Sequence, residues 1–522
     1  MSRHAPLPTD IESLNQLVRA QRAELERLQA TLLCNDLLIE KLRTELLRLK
    51  RWRFGRSAEP LEAEIAQLEL TLEDLEASAC AEPLAGAEPA HAPARATPVR
   101  RALPAHLPRE TLTHTPACHC PDCGEALRAA GEDVGEILEY VPSTFKVIRH
   151  VRPKFACDHC QTLVQVPAPA RPIARGLAGP GLLAHVLVSK YADHLPLYRQ
   201  AEMYARAGLE LDRSTLADWV GSASVLLAPL VSALRRQVLA GATLHADDTP
   251  VPVLCPGRGT TKTGRLWTYV RDQRPAGSDH PPAVWFAYTP DRKAKHALAH
   301  LQDFRGVLQA DGYAGFHGLY DRVDHPLIEA ACWAHARRKF YDVHQATQSP
   351  LALAALQQIG ALYAIEADIR GRSPDERRAV REARAGPLLD LLHRWLHATL
   401  ASLAKKSELA GAIRYALSRW RALTRYRDDG AIEIDNNAAE RALRAVALGR
   451  KNWLFAGSDS GGERAAAIYS LLGSAKLNGL DPEAYLRHVL SHIAEHPINA
   501  MHELLPWNVA ATLATKPEQL AA

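Results

Sequence analysis

Long apolar runs are missing from this sequence: no window of its 522 residues approaches eighteen uninterrupted apolar positions, which argues against a membrane-spanning helix. The N-terminus, MSRHAPLPTD, lacks the apolar stretch of a secretory signal, so a cytoplasmic protein with no membrane partner is expected. Net charge is nearly absent too. At +4 it names no partner, although it conceals local runs such as RLKRWRFGR at 48–56, with five basic residues in nine. Cysteine is sparse and unevenly placed: five of the nine fall between Cys118 and Cys160, which suits metal ligation in a reducing compartment. What is present is an ordinary globular balance, 47% hydrophobic and 23% charged, over a length that calls for about three or four domains.

Residues 1–78 carry a heptad seam. Val18, Gln21, Leu25, Leu28, Leu32, Asn35, Ile39, Leu42, Leu46 and Leu49 recur in alternating steps of three and four, and the pattern resumes at Leu61 after the basic segment. A coiled coil joining copies of the chain is expected, with Asn35 fixing its register; a helical hairpin packed on its own chain is the other reading. Residues 79–105 are rich in Ala and Pro without apolar period and read as a linker. In 106–170, the pairs CPDC and CDHC offer four thiolates for one structural Zn²⁺: Cys120, Cys123, Cys157 and Cys160, with Cys118, His119 and His159 as candidate substitutes. Two strands are expected between the pairs. A redox CxxC is disfavoured, because neither pair opens a helix in a βαβ pattern.

Residues 171–240 are helical in pattern, and LPLYRQAEMYARAGLELDRSTLADWVGSAS reads as helix, turn and second helix capped by Asp212 or Ser214. A helix-turn-helix would present Arg213, Ser214 and Thr215 to a DNA groove, though any αα-hairpin shares this pattern.

From 241 to 342 the texture changes to strands, ATLHADDTPVPVL, GRLWTYVRD, AVWFAYT and VLQADGYAGF. Asp247 falls mid-strand, where a carboxylate is unwelcome, and Asp311 follows an apolar strand and precedes Gly312. Taken singly, Asp247 could pair with Arg265 or His245, Asp311 could belong to an Asp-Gly turn, and Glu440 in EIDNNAAERALR could pair with Arg444. Together, an Asp on the first strand, an Asp after the fourth and a Glu on a later capped helix match a ribonuclease-H-like catalytic core. Three acids in that arrangement suit two Mg²⁺ or Mn²⁺ ions, Asp247 bridging both and Asp311 and Glu440 each holding one. Arg441, Arg444, Arg450 and Lys451 would then face a DNA backbone. Residues 343–428, with the Arg-rich RGRSPDERRAVREAR, read as a helical insertion in this core, or as a separate domain. The core would resume over 429–480 and a C-terminal segment would fill 481–522.

HADDTPVPVL, GRLWTYVRD, LQADGYAGF, CWAHARRKF, IDNNAAERALR and GRKNWLFAGSDSGGERAAAIYSLLGSAKLNG together resemble the transposases of the insertion-sequence-66 family, bacterial mobile-element enzymes of the DDE class. The resemblance runs over nearly the whole chain. It implies a multidomain α/β protein that cuts double-stranded DNA at element ends with water and joins the freed 3′ hydroxyl to target DNA. It carries the three acidic roles onto Asp247, Asp311 and Glu440, and implies accessory proteins encoded by the same element. Where the family has Asp-Glu-Thr, this chain has Asp247-Asp248-Thr249, which leaves open whether Asp248 assists, as it leaves open Glu433 and Asp435. Cys332 and His335 belong to the motif without an assigned role, packing or metal binding. Arg337, Arg338 and Lys339 read as DNA contacts or a solvated face, and GSDSGGE at 457–463 as a phosphate cradle or a plain loop. A non-catalytic zinc-containing DNA-binding regulator, or an inactive element remnant, is the rival function.

Overall fold

The computed structural model describes residues 170–514, apart from positions 174–175, 256 and 258, together with Phe145 and two short strands. The coiled coil, the linker and the zinc cysteines lie outside the described residues. The two strands, β1 (Lys154–Ala156) and β2 (Leu163–Gln165), pair antiparallel with Phe155 opposite Val164. They flank the second CxxC pair, β1 ending just before Cys157 and β2 following Cys160; the rest of the stretch between the two pairs, where two strands were expected, lies outside the described residues. This hairpin belongs to one compact unit of the chain, and residues 169–515 to another.

The second unit opens with helices α1 (Pro180–Tyr191), α2 (Leu197–Arg206) and α3 (Arg213–Leu239). Asp212 is the N-cap of α3, with no side-chain capping bond. By length and composition α3 could cross a membrane. It is instead a core helix: Leu216, Val220, Ala223, Leu227, Leu230 and Leu234, in steps of three and four, are buried.

A five-stranded sheet follows, built from β3 (Thr243–Val253), β4 (Lys262–Arg271), β5 (Ala283–Thr289), β6 (Val307–Ala310) and β7 (Ile328–Ala331); a short helix, α4 (Ala294–His300), joins β5 to β6, and another, α5 (His317–Tyr320), joins β6 to β7. Its order is β5-β4-β3-β6-β7: the first three strands form an antiparallel meander, whereas β6 and β7 add parallel to β3. The sheet is thus the predicted one with an additional strand, β7. Gly306 enters β6 at φ +133, and a Cβ there would stand 2.2 Å from the Ala242 carbonyl oxygen, the acceptor for Val307 N. Gly306→Ala is therefore expected to destabilise the protein by about 2 kcal/mol or more in urea unfolding; an unchanged midpoint would show that the strand entry relaxes freely.

From α6 (Trp333–Thr347) the chain stays helical through α7 (Pro350–Ile369), α8 (Pro374–Val380), a π-helical turn at Arg381–Ala385, α9 (Gly386–Ser402), α10 (Glu408–Ser418) and α11 (Trp420–Asp428). These helices enclose a core of their own around Ile359, Leu389, Ile413 and Leu423, which reaches the sheet at Val307, Ala330 and Ala331. The chain then forms α12 (Asn437–Asn452), α13 (Asp459–Leu477), α14 (Pro482–His492) and α15 (Pro506–Ala514).

Helix α13 explains the serines and glycines of the motif GSDSGGERAAAIYSLLGSAKLNG. Edge strand β5 leaves N–H groups unpaired, and these donate to α13: Phe286 N to Ser470 Oγ at 2.8 Å and Val284 N to Ser474 Oγ at 3.1 Å. Such close approach needs small residues. A Cβ on Gly462 would meet the Tyr288 ring at 2.4 Å, and one on Gly473 would meet Val284 at 2.7 Å.

Candidate active site

The parallel strands align their C-terminal ends. Ala246 pairs with Ala310 and Ala310 with Ala331, so one residue further on Asp247, Asp311 and Cys332 stand in a row across β3, β6 and β7. In open α/β sheets this is the edge on which sites form. Asp247 Oδ1 accepts the Asp248 amide at 2.7 Å, and Asp311 Oδ1 accepts Tyr313 N at 3.1 Å. The turn read at Asp311 is therefore real, and it coexists with a place in the row.

Helix α12 brings the third acid. Asn436 is fully buried and spends its side chain on the sheet, not on capping: Nδ2 donates to Ala246 O at 2.9 Å and Oδ1 lies 3.1 Å from His245 Nδ1. Its amide donates to Cys332 Sγ at 3.2 Å. Asp435 closes the turn instead, Oδ1 accepting Asn437 N at 3.1 Å. The helix thus starts at Asn437, pinned beside β3, and Glu440 in its first turn is only 7% exposed. An exposed surface ion pair does not describe this residue.

The three acids sense one another. Burial, then Glu440, Asp311 and Asp248, push the Asp247 carboxyl well above the usual carboxylate range. Burial also raises Glu440, with Arg338 and Arg441 opposing and Asp311 adding to the rise. Asp435 is driven by burial to about 7. Buried carboxylates that repel and lack a full set of cationic partners are a donor set suited to hard divalent cations.

The neighbouring acids are differently engaged. On the opposite face of β3, Asp248 has a side chain 2% exposed, Oδ2 3.0 Å from Arg265 Nη1 and Oδ1 2.7 Å from Arg292 Nη2. Arg292 also reaches Asp311 Oδ2 at 3.7 Å and stacks 4.0 Å over the Tyr313 ring. Glu433 pairs with Arg377 and lies 3.7 Å from Arg370 Nη1.

Of the expected DNA contacts, Arg441 and Lys451 are exposed and Arg444 is half-buried. Arg450 donates Nη1 to the Pro250 carbonyl, which ties the end of α12 to β3. Arg213 and Ser214 are exposed and Thr215 half-buried at the start of α3, an element separate from the acid row. Arg337 is buried at 7%, which removes it from a solvated face. At GSDSGGE, Ser458 Oγ accepts Gly461 N at 3.1 Å, while the Asp459 carboxylate takes Lys262 Nζ and Tyr288 OH, both at 2.6 Å. The start of α13 thus already holds an anion of its own. Sequence reasoning misses Arg292 as a neighbour of the site and reads Asn436 only as part of a cap, whereas it names His245 as a pairing partner for Asp247 and Arg338 as a DNA contact.

Raised carboxyls carry a pH consequence. Relative to the unfolded chain, whose carboxyls ionise near pH 4, these three groups hold protons longer in the metal-free fold, so their contribution to stability is fully present below that pH and is lost as pH rises toward about 7. Asp247→Asn removes one of the repelling charges. In EDTA at pH 7 it is expected to raise stability by about 1–3 kcal/mol and flatten this pH dependence, as read by thermal melts from pH 4 to 8. A lower Tm for the variant throughout would contradict the electrostatic assignment.

Fold and site together define a mixed α/β protein with three acids, Glu440 buried and Asp247 and Asp311 partly buried, gathered at the ends of parallel strands and the start of a helix. Residues 175–464 match the family model described as Transposase IS66 family, and 470–507 match the IS66 C-terminal element. Residues 117–161 match the zinc-finger binding domain of transposase IS66, and 41–112 the model described as Transposase C of IS166 homeodomain. The chain belongs to the IS66 transposase family. Among its relatives in Sinorhizobium fredii (strain NBRC 101917 / NGR234), the uncharacterized protein y4hP is 40% identical over 493 residues, covering 90% of this chain and 88% of the relative. The uncharacterized protein y4jD is 39% identical over 520 residues, covering 97% of this chain and 98% of the relative.

Proposed function

We propose that the chain is a DDE transposase that cuts double-stranded DNA at the ends of its own insertion element and joins the freed 3′ ends to target DNA. The observation that carries this is the convergence of Asp247, Asp311 and Glu440, from three separate parts of the chain, on one edge of the sheet. The strand order β5-β4-β3-β6-β7, with β4 antiparallel, supports a ribonuclease-H-like core whose second part is α12 and α13 and whose insertion is the helical region before them.

Asp247, Asp311 and Glu440 would hold two Mg²⁺ or Mn²⁺ ions, which when bound neutralise charge on the attacking and leaving oxygens of in-line phosphoryl transfer. The chain's own groups do the rest. Asn436 fixes the start of the helix that carries Glu440, Arg265 and Arg292 pair with Asp248, and Arg441 near Glu440, with Arg444 and Lys451 further along α12, would offer positive charge to the DNA backbone. Cys120, Cys123, Cys157 and Cys160 would hold one Zn²⁺ in the ribbon, the start of α3 would add DNA contacts, and the N-terminal heptads would join copies of the chain. Acting on DNA in a bacterium places the protein in the cytoplasm, with accessory proteins of the same element as further partners.

Incubating the protein with Mg²⁺ or Mn²⁺ and DNA carrying its element's ends should produce new 3′ ends and joined strands. Binding without cleavage, persisting after accessory proteins are added, would transfer the assignment to a non-catalytic regulator.

A further inference from the structure

Beside the acid row lies a different donor set. Cys332, His335 and Glu440 each offer one atom, sulfur, imidazole nitrogen and carboxylate oxygen, and these lie within 4.8 Å of one another. His335 Nδ1 stands 3.5 Å from Glu440 Oε1. Cys332 ends the strand row at β7 and is the N-cap of α6, so His335 lies three residues on, in the first turn of that helix.

The sulfur is arranged as an acceptor. It receives the backbone N–H of Asn436 at 3.2 Å, at the end of a helix that favours negative charge. Packing alone does not require an amide aimed at a thiol.

We propose that Cys332, His335 and Glu440 form a transition-metal site that takes Zn²⁺, with a fourth position open to water or substrate. Three protein ligands of mixed sulfur, nitrogen and oxygen character around an open position suit zinc. Binding replaces the Cys332 thiol proton, which leaves to solvent, and gives the buried carboxylate a counter-ion. Softness separates the two halves of the row: Asp247 and Asp311 select hard Mg²⁺ or Mn²⁺, whereas Cys332 and His335 select zinc. Glu440 is common to both, and in that respect alone the inference rests on the proposed function.

The test is a metal count on the full chain, equilibrated with Zn²⁺, freed of loose metal by gel filtration and measured by atomic absorption. Wild type should retain about two zinc ions per chain, one of them in the ribbon, and Cys332→Ser about one. His335→Asn, at a half-exposed position, should also retain about one and decides the matter should Cys332→Ser fail to fold. Cys120→Ser should lose the ribbon's ion and keep the other. Zinc content of the His335 variant equal to wild type, or a single zinc in wild type that Cys120→Ser abolishes, would overturn the site. The count is read without DNA chemistry: two zinc ions in a protein that, loaded with Mg²⁺ or Mn²⁺ and given its accessory proteins, still does not cleave would sink the transposase reading and leave this site, and cleavage with ribbon zinc alone would do the reverse.

Discussion

Asp311→Asn and Glu440→Gln are each expected to slow metal-dependent cleavage of element-end DNA by about 10³-fold or more while DNA binding persists. Both substitutions keep shape and remove charge, so a loss reports on the carboxylates and not on packing. The effect should be large because the acids act as a unit, and removing one disables the site that the others complete. Asp248→Asn is the informative contrast. Asp248 pairs with Arg265 and Arg292, so its substitution should cost stability through weakened ion pairs before it costs chemistry, Arg292 keeping its contact with Asp311. Single-turnover cleavage with gel-shift binding separates these outcomes; a wild-type rate in Asp311→Asn would remove Asp311 from the site.

Arg381→Ala is expected to destabilise the protein by about 3–5 kcal/mol in urea unfolding. Arg381 is 0% exposed, and its guanidinium grips Glu366 through Nε at 2.8 Å and Nη2 at 2.6 Å, while Nη1 donates to Tyr426 O at 2.7 Å. Arg377, 1% exposed, joins Glu366 to Glu433 and donates to Gly430 O at 2.8 Å. These two arginines bind α7, α8 and the segment leading to α12 into one block, so the position of Glu440 depends on them. Removing one partner strands the other charge in the core, whereas the double change Arg381→Met with Glu366→Leu should recover most of the loss. A loss below about 1 kcal/mol for Arg381→Ala would mean that water reaches Glu366 easily.

That network shows where sequence reading stops. RGRSPDERRAVREAR reads only as an Arg-rich part of a helical insertion, because nothing local distinguishes a guanidinium in water from one fixed by Glu366 at a distant position. The strands were legible: β3 to β6 alternate or run apolar between Gly, Pro and Asp. So were the acids on them, since Asp247 breaks the strand pattern and Asp311 follows a strand that does not. Strand β7, only four residues long and half exposed at its start, has no such contrast with its flanks. Asn436 was legible as a polar helix opener but not as the tie to Ala246 and His245, because the same residue type serves both roles and only burial separates them. The row formed with Cys332 was hidden for a related reason, as register between parallel strands is set by pairing that no single segment encodes.

The central claim is that Asp247, Asp311 and Glu440 jointly hold the catalytic ions, and anomalous diffraction from crystals of the protein bound to element-end DNA and Mn²⁺ addresses it directly. Two peaks about 3.5–4 Å apart, with Asp247 between them and Asp311 and Glu440 at either side, are the expected result. Manganese seated on Asp248, or absent from the three acids with DNA in place, would contradict it.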